Sequence, residues 1–282
     1  MRLDHAVILV PELGRAVEEY RSAGFTVTPG GIHSGGATRN ALICLSDGTY
    51  LELLMFSRKM LPKLLAVLTR LRLSGLVRGG ATPIEARFRE RASGGYGLID
   101  FAMSPESLDA DLERLRREGV RVNGPLPGGR VSADGEPISW RLGLPAPRDL
   151  PFLCSDLTER SLRVPEGQAR EHPNGARGIA ALTVAVHSVE GSSARFQTLL
   201  GTEPDPGARE RLRNARTRIF KNGDAELIVA SPTSASSPIG RRLRWRGEGP
   251  HSIVLAVEPG ADPLVISGSE IRKGPAAATE WG

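Results

Sequence analysis

Cysteine is nearly absent: the 282 residues hold two, Cys44 and Cys154, both inside apolar runs. Two thiols placed this way fit buried, reduced groups in a cytoplasmic protein better than a disulfide framework. Aromatic residues make up only 5% of the chain. That is thin material for base stacking and argues against a nucleic-acid partner. Long apolar runs are missing too, since none approaches the roughly 18 residues that a membrane helix needs. Near the N-terminus the apolar run of Ala6–Val10 passes directly into an amphipathic segment, so neither a signal peptide nor a membrane span is expected. The chain also lacks a phosphate-binding G-x-x-x-x-G-K-[ST], a dinucleotide G-x-G-x-x-G after a strand, a C-x-x-C pair and a G-x-S-x-G elbow.

Charge is mixed rather than segregated. Lys and Arg number 37 against 32 Asp and Glu, a formal net charge of +5. The densest basic stretch, Arg58 to Arg91, carries nine Arg and Lys against two Glu. It reads either as a solvated helical face or as a patch for an anionic partner.

What the chain does contain is one scheme used repeatedly: a β-branched strand, an amphipathic helix ending near Gly, then further strands. The first copy occupies 1–57. Its strand is His5–Val10, its helix carries Leu13, Val17 and Tyr20, and Gly24 ends that helix. Strands are predicted at Phe25–Thr28, Ala41–Leu45 and Tyr50–Phe56. An insertion at 58–93 follows, with helical periodicity through Met60, Leu61, Leu64, Leu65, Leu68 and Leu71. The second copy, 94–158, has a strand at Leu98–Met103, a helix at Ser107–Glu118 ended by Gly119, and strands at Val120–Val122, Ile138–Leu144 and Leu150–Cys154. A polar linker at 159–178 leads to a third copy and a truncated fourth in 179–282. There the strands are Ile179–Val186, Thr217–Phe220, Glu226–Ala230, His251–Val257 and Leu264–Ile266, with a helix at Ser192–Leu200. Residues 274–282 read as a frayed end.

Several of these segments are recognisable. The D-H at Asp4-His5, the A-G-F-T-V-T-P-G-G helix exit, the G-I-H followed by Thr38 and Asn40, and D-G-T-Y-L-E-L at 47–53 resemble the glyoxalase-like domain group of the vicinal-oxygen-chelate superfamily. D-G-x-x-x-x-W-R-L at Asp134–Leu142, L-P-F-L at Leu150–Leu153 and HPNGARGI at 172–179 extend the resemblance over nearly the whole chain. It implies an α+β fold, the glyoxalase/dioxygenase fold, in which repeated βαβββ modules form curled mixed sheets around a pocket. It does not choose a reaction, because one fold hosts many chemistries.

The resemblance also implies site residues. Counting back 19 residues from Gly24 and Gly119 puts His5 in register with Asp100. In the resembled metalloenzymes that first-strand position supplies a metal ligand, and the last strand of each module supplies another. Glu52 takes the last-strand place in the first module, whereas the second offers Phe152 or Cys154. His5, Glu52 and Asp100 are thus the candidate ligands of one divalent metal (Mn, Fe, Ni, Zn or Mg), with an apolar or thiol fourth corner. Glu52, Asp100 and His33 are the candidates for proton transfer. His33, Thr38, Asn40, Trp140, Arg141, Phe152 and Cys154 are the candidate substrate contacts, with only one of Trp140 and Arg141 pointing inward if the strand alternates. Structural readings stand beside these: a hydrogen-bonded His5, a core Trp140, a loop-stabilising His33 group. In the third copy Leu182 takes the first-strand place, and Glu226 with His251 are too few donors for a second metal.

Three functions fit these residues. One is a glyoxalase/dioxygenase-like enzyme acting on a small carbonyl- or hydroxyl-bearing metabolite by metal-assisted proton transfer or isomerisation. Another is a metal-free protein that binds a drug or secondary metabolite. The third is an interaction module using the basic 58–91 stretch. A small molecule is the partner in the first two, and the C-terminal half is read as structural or as the contact of a homodimer.

Overall fold

A computed structural model describes residues 1–57, 81–205, 212, 214–261, 263–268 and 270–273. The periodic stretch Met60–Leu71 and the end at 274–282 lie outside the described residues.

The first half closes into an eight-stranded barrel. Its strands are β1 (Arg2–Leu9), β2 (Thr28–His33), β3 (Thr38–Cys44), β4 (Tyr50–Phe56), β5 (Gly97–Ser104), β6 (Val122–Ser132), β7 (Pro137–Pro145) and β8 (Phe152–Asp156). Around the barrel the order is β1-β4-β3-β2-β6-β7-β8-β5. Each module contributes one four-stranded half. The halves join at two antiparallel seams, β1 with β5 and β2 with β6. The fold class implied by the resemblance is therefore the one observed.

Helices cover the outside. α1 (Leu13–Ser22) and α3 (Leu108–Arg117) belong to the two modules, and α2 (Pro83–Arg91) precedes β5. α2 starts as a capping box, Thr82 accepting from the Glu85 amide and Glu85 from the Thr82 amide, with Pro83 opening the first turn. Strand alternation divides the apolar residues between two cores. Ala6 and Ile8 face outward into the core beneath α1 and α3. Val7, Leu9, Leu54 and Phe56 face inward with Trp140, Leu142 and Phe152.

The second half adds a six-stranded sheet, β10-β11-β9-β12-β13-β14. It comprises β9 (Ala176–Ala185), β10 (Ala215–Asn222), β11 (Ala225–Pro232), β12 (Gly249–Val257), β13 (Leu264–Ser267) and β14 (Glu270–Lys273). Leu182, Val184 and Leu227 share the barrel's outer core. Three further helices are a one-turn α4 (Arg160–Arg163), α5 (Val189–Leu200) and α6 (Pro238–Arg246).

Two strand predictions needed correction, and two elements, one strand and one helix, were not predicted. The first module's second strand runs over Thr28–His33, not Phe25–Thr28, because Phe25 and Val27 are drawn into the outer core. β6 extends from Val122 to Ser132 through Gly-Pro-Leu-Pro-Gly-Gly, a sequence of poor strand propensity. Pairing with β2 and β7 overrides that propensity, and Pro125 sits where the β6–β7 register shifts. β14 and α6 carry too little periodicity to be anticipated.

Among the described residues the largest fully buried side chain is that of Arg163 in α4. Its guanidinium donates to Asp4 at 2.9 and 3.3 Å, to the Tyr50 hydroxyl at 2.6 Å and to Asp156 at 3.0 Å, and its Nε also bonds Asp156. Arg163→Met should cost about 3 kcal/mol or more in urea unfolding, because buried carboxylates lose their counter-charge. A loss below about 1 kcal/mol would show that this network does not hold the barrel.

Candidate functional site in the barrel

The barrel interior holds a cavity of about 100 Å³. His5, His33, Thr38, Asn40, Glu52, Trp140, Phe152 and Cys154, eight of the ten residues singled out in the sequence, line it. The other two, Asp100 and Arg141, do not.

His5 is aimed by a β-bulge. The β1–β5 register slips between Leu3 and His5, so Asp4 is the extra residue. Adjacent side chains that a regular strand would send to opposite faces here meet, His5 Nδ1 donating to Asp4 Oδ2 at 2.7 Å. Burial opposes ionisation of Asp4, but Arg163, His5 and Arg160 outweigh it and hold its pKa well below the usual carboxylate value. An ionised carboxylate only accepts, so the proton of that hydrogen bond is on Nδ1. The ring stacks on Tyr50 with centroids 4.4 Å apart, and Nε2 faces Glu52.

Glu52 lies between two imidazoles. Its Oε2 is 3.6 Å from His5 Nε2, and its Oε1 is 3.5 Å from His33 Nε2. Asn40 Nδ2 donates to Oε1 at 2.7 Å. His33 shares a 2.8 Å hydrogen bond with Thr38 and meets the Trp140 ring edge-on. Trp140 can lie flat against β6 because position 128 is glycine: a Cβ there would come within 2.2 Å of the indole nitrogen. Phe88, Leu142 and Phe152 supply apolar walls. Cys154 is a neutral thiol, its pKa pushed up to about 12 by burial.

Asp100 occupies the place in β5 that His5 has in β1. His5 pairs with Ala102 and Asp100 with Val7, one relation read in both directions. The same correspondence sets Phe152, beside Ala102, where Glu52 stands beside Val7. Asp100, however, is engaged by α2: Arg87 donates to both its oxygens at 2.7 and 3.2 Å, and Arg91 Nε lies 3.1 Å away. This overturns the expectation that Asp100 meets His5 and Glu52 at an ion. It also corrects part of the basic-face reading, since Arg87 and Arg91 point inward. Arg141 faces outward, where it pairs with Asp109 of α3; strand alternation leaves only Trp140 inside.

The donor set therefore does not fit the divalent metal that the resemblance implied. Two corners, His5 and Glu52, remain. The third is a carboxylate neutralised by two guanidinium groups, and the fourth is a phenyl ring. Among the described residues no three His, Cys, Asp or Glu converge on an ion-sized point.

Sequence reasoning missed Asp4, Arg163, Arg87 and Arg130. The first was visible beside His5, but only the bulge makes it a partner. The arginines carry no periodic signal, and distant segments bring them in.

With this geometry in view, comparison with known proteins places the chain. The family model described as "Glyoxalase-like domain" matches residues 3–200. The chain belongs to the glyoxalase-like domain family. Its fold is shared by a hypothetical protein from Staphylococcus aureus, at 16% identity and TM-score 0.60, over 81% of this chain and 85% of that one. It is also shared by a triple mutant of 4-hydroxymandelate synthase from Streptomyces coelicolor, at 13% identity and TM-score 0.57, over 92% and 71%. At such identities the likeness shows the vicinal-oxygen-chelate fold alone. No curated protein matches the sequence. No described helix of this glyoxalase-like protein is long and apolar enough to cross a membrane.

Burial lowers the pKa of His33 from its ordinary value, and Glu52 only partly offsets this. The unfolded chain then takes up a proton near pH 6.5 that the folded protein accepts only at lower pH. The stability of the neutral ring is present above about pH 6.5 and is lost as pH falls through the folded value. A nitrogen-15 NMR titration should give His33 a midpoint below 6.5; a midpoint above 6.5 would reverse the sign.

Proposed function

We propose that the barrel catalyses proton transfer at a carbon next to a carbonyl in a small metabolite, an isomerisation or epimerisation that Glu52 and His5 carry. The observation that supports this is the position of Glu52. It is a buried carboxylate inside an apolar cavity whose near partners are one amide and two imidazoles. No Arg or Lys among the described residues pairs with it. Such a group is free to act as a base.

In this reading Glu52 takes the proton from carbon, and the bonding pair passes to the carbonyl oxygen as an enolate. His5, with Nδ1 fixed by Asp4, holds Nε2 toward the reacting centre and steadies the oxygen when it carries a second proton. The proton then returns to the same carbon on its other face. In a 2-hydroxy carbonyl compound the hydroxyl proton can instead pass to the enolate oxygen while the carbon-bound proton goes to the former carbonyl carbon. Neither route consumes a co-reactant. Asn40 keeps the carboxylate oriented, while Phe88, Trp140 and Phe152 exclude water. Asp100 has no part in the chemistry here; Arg87 and Arg91 use it to dock α2.

The apolar wall also favours a second reading, a binding protein that holds a small molecule without changing it. Both cysteines are unpaired and buried, which supports a cytoplasmic setting for either.

One experiment separates the readings. Purified protein is incubated in deuterium oxide with a panel of small 2-oxo and 2-hydroxy compounds, and carbon-bound exchange is followed by proton NMR. The wild type should catalyse exchange on some members, and Glu52→Gln should lower that rate by about 10²-fold or more. Ligand binding with no exchange in the wild type, or exchange indifferent to Glu52→Gln, would dismiss the enzyme reading.

A further inference from the structure

One cation in the cavity has no counterpart in the proton-transfer scheme. Arg130 is 4% exposed, yet its Nε has no hydrogen-bond partner. The one bond its guanidinium makes among the described residues is from Nη2 to the Arg163 carbonyl, at 2.9 Å. It has no carboxylate within salt-bridge distance among those residues. Arg163, the other guanidinium at the wall, is saturated by Asp4, Asp156 and Tyr50.

A guanidinium carries five N–H donors in a rigid fork. Burying it with a single acceptor leaves desolvation uncompensated, an arrangement that native proteins reserve for sites where something else supplies the oxygens. The tether to Arg163 holds the fork in place, as a preformed receptor requires. Burial already pulls the Arg130 pKa down, although Tyr50 and Glu52 oppose the shift.

Its position says what that something is. Arg130 pairs with His33 across the β2–β6 seam, and paired residues share a face. His33 in turn reaches Glu52 at 3.5 Å. Gly128 and Gly129, the two residues before Arg130, also line the cavity, where the Trp140 ring lies over Gly128 as a flat wall beside the guanidinium. A planar anion on the fork would set its next carbon toward Glu52.

We propose that Arg130 is the anchor for a carboxylate, so that the ligand of this barrel is a small carboxylic acid. This rests on the cavity's being the ligand site, as in the proposed function, but not on any reaction there. The flat two-oxygen anion matches the fork and is small enough for the cavity. Arg130 selects the ligand by charge and shape; it is a binding residue and moves no proton.

The test uses acids paired with neutral amides of nearly the same shape: pyruvate with pyruvamide, propionate with propionamide, benzoate with benzamide. Binding to the full-length protein is followed by calorimetry. At least one acid should bind saturably, and at least tenfold more tightly than its amide. Arg130→Met should lower acid affinity about 10- to 100-fold, the range for losing a buried charged hydrogen bond, and leave the amide within about twofold. Arg130→Lys, which keeps the charge and loses the fork, should recover only part of the difference.

Should Arg130→Met fail to fold, the wild-type comparison of acid with amide still decides. Equal binding of acid and amide, no saturable acid binding by any pair, acid affinity unchanged in Arg130→Met, or inorganic phosphate binding as tightly as the acids would each overturn the assignment. The two proposals fail differently. Acids bound through Arg130 with no deuterium exchange would sink proton transfer and keep the anchor. Exchange that needs Glu52 but treats acids and amides alike would sink the anchor and keep proton transfer.

Discussion

A guanidinium removed from water must be surrounded by oxygen, and Arg163 organises the barrel around that demand. Its side chain gathers Asp4 from the first strand, Tyr50 from the fourth and Asp156 from the eighth, while its carbonyl tethers Arg130 on the sixth. Asp4 then orients His5, and Tyr50 gives His5 a surface to stack on. One residue beyond the last barrel strand thus sets the aim of two functional candidates on opposite halves. Arg163 and Asp4 are buried charges, but they are paired with each other, which is what makes their burial tolerable.

A second set of charges closes the other end of the pseudo-symmetric site. Where the first module places His5 and Glu52, the second places Asp100 and Phe152. Arg87 and Arg91 convert Asp100 from a donor for an ion into a dock for α2, and Arg87 also reaches the carbonyls of Pro145 and Leu150. A symmetric scaffold therefore carries an asymmetric site, with chemistry on one half and helix docking on the other.

Most of the fold was legible in the sequence because the helix-ending glycines repeat and the strands between them alternate. Gly24 and Gly119 take positive φ, as the reading required, and the register they imply between His5 and Asp100 is the register found. The register did not reveal what those positions do. Asp100 is costly in an apolar strand, and the cost can be offset by a metal or by arginine. Only the distant helix α2 decides between them. β6 was lost because glycine and proline hide a strand that pairing on both edges enforces. Arg130, within that hidden strand, was lost with it. Asp4 stood in plain view, but a one-residue bulge cannot be read from period-two alternation.

The cavity's polar groups form a line: Arg130 beside His33, His33 and His5 flanking Glu52, Asp4 behind His5. A structure of the protein with a bound carboxylic acid tests that line directly. The account predicts the carboxylate on the Arg130 fork and the adjoining carbon about 3–3.5 Å from a Glu52 oxygen. A ligand seated outside the barrel, or one whose carboxylate turns away from Arg130 with its carbon beyond reach of Glu52, would contradict it.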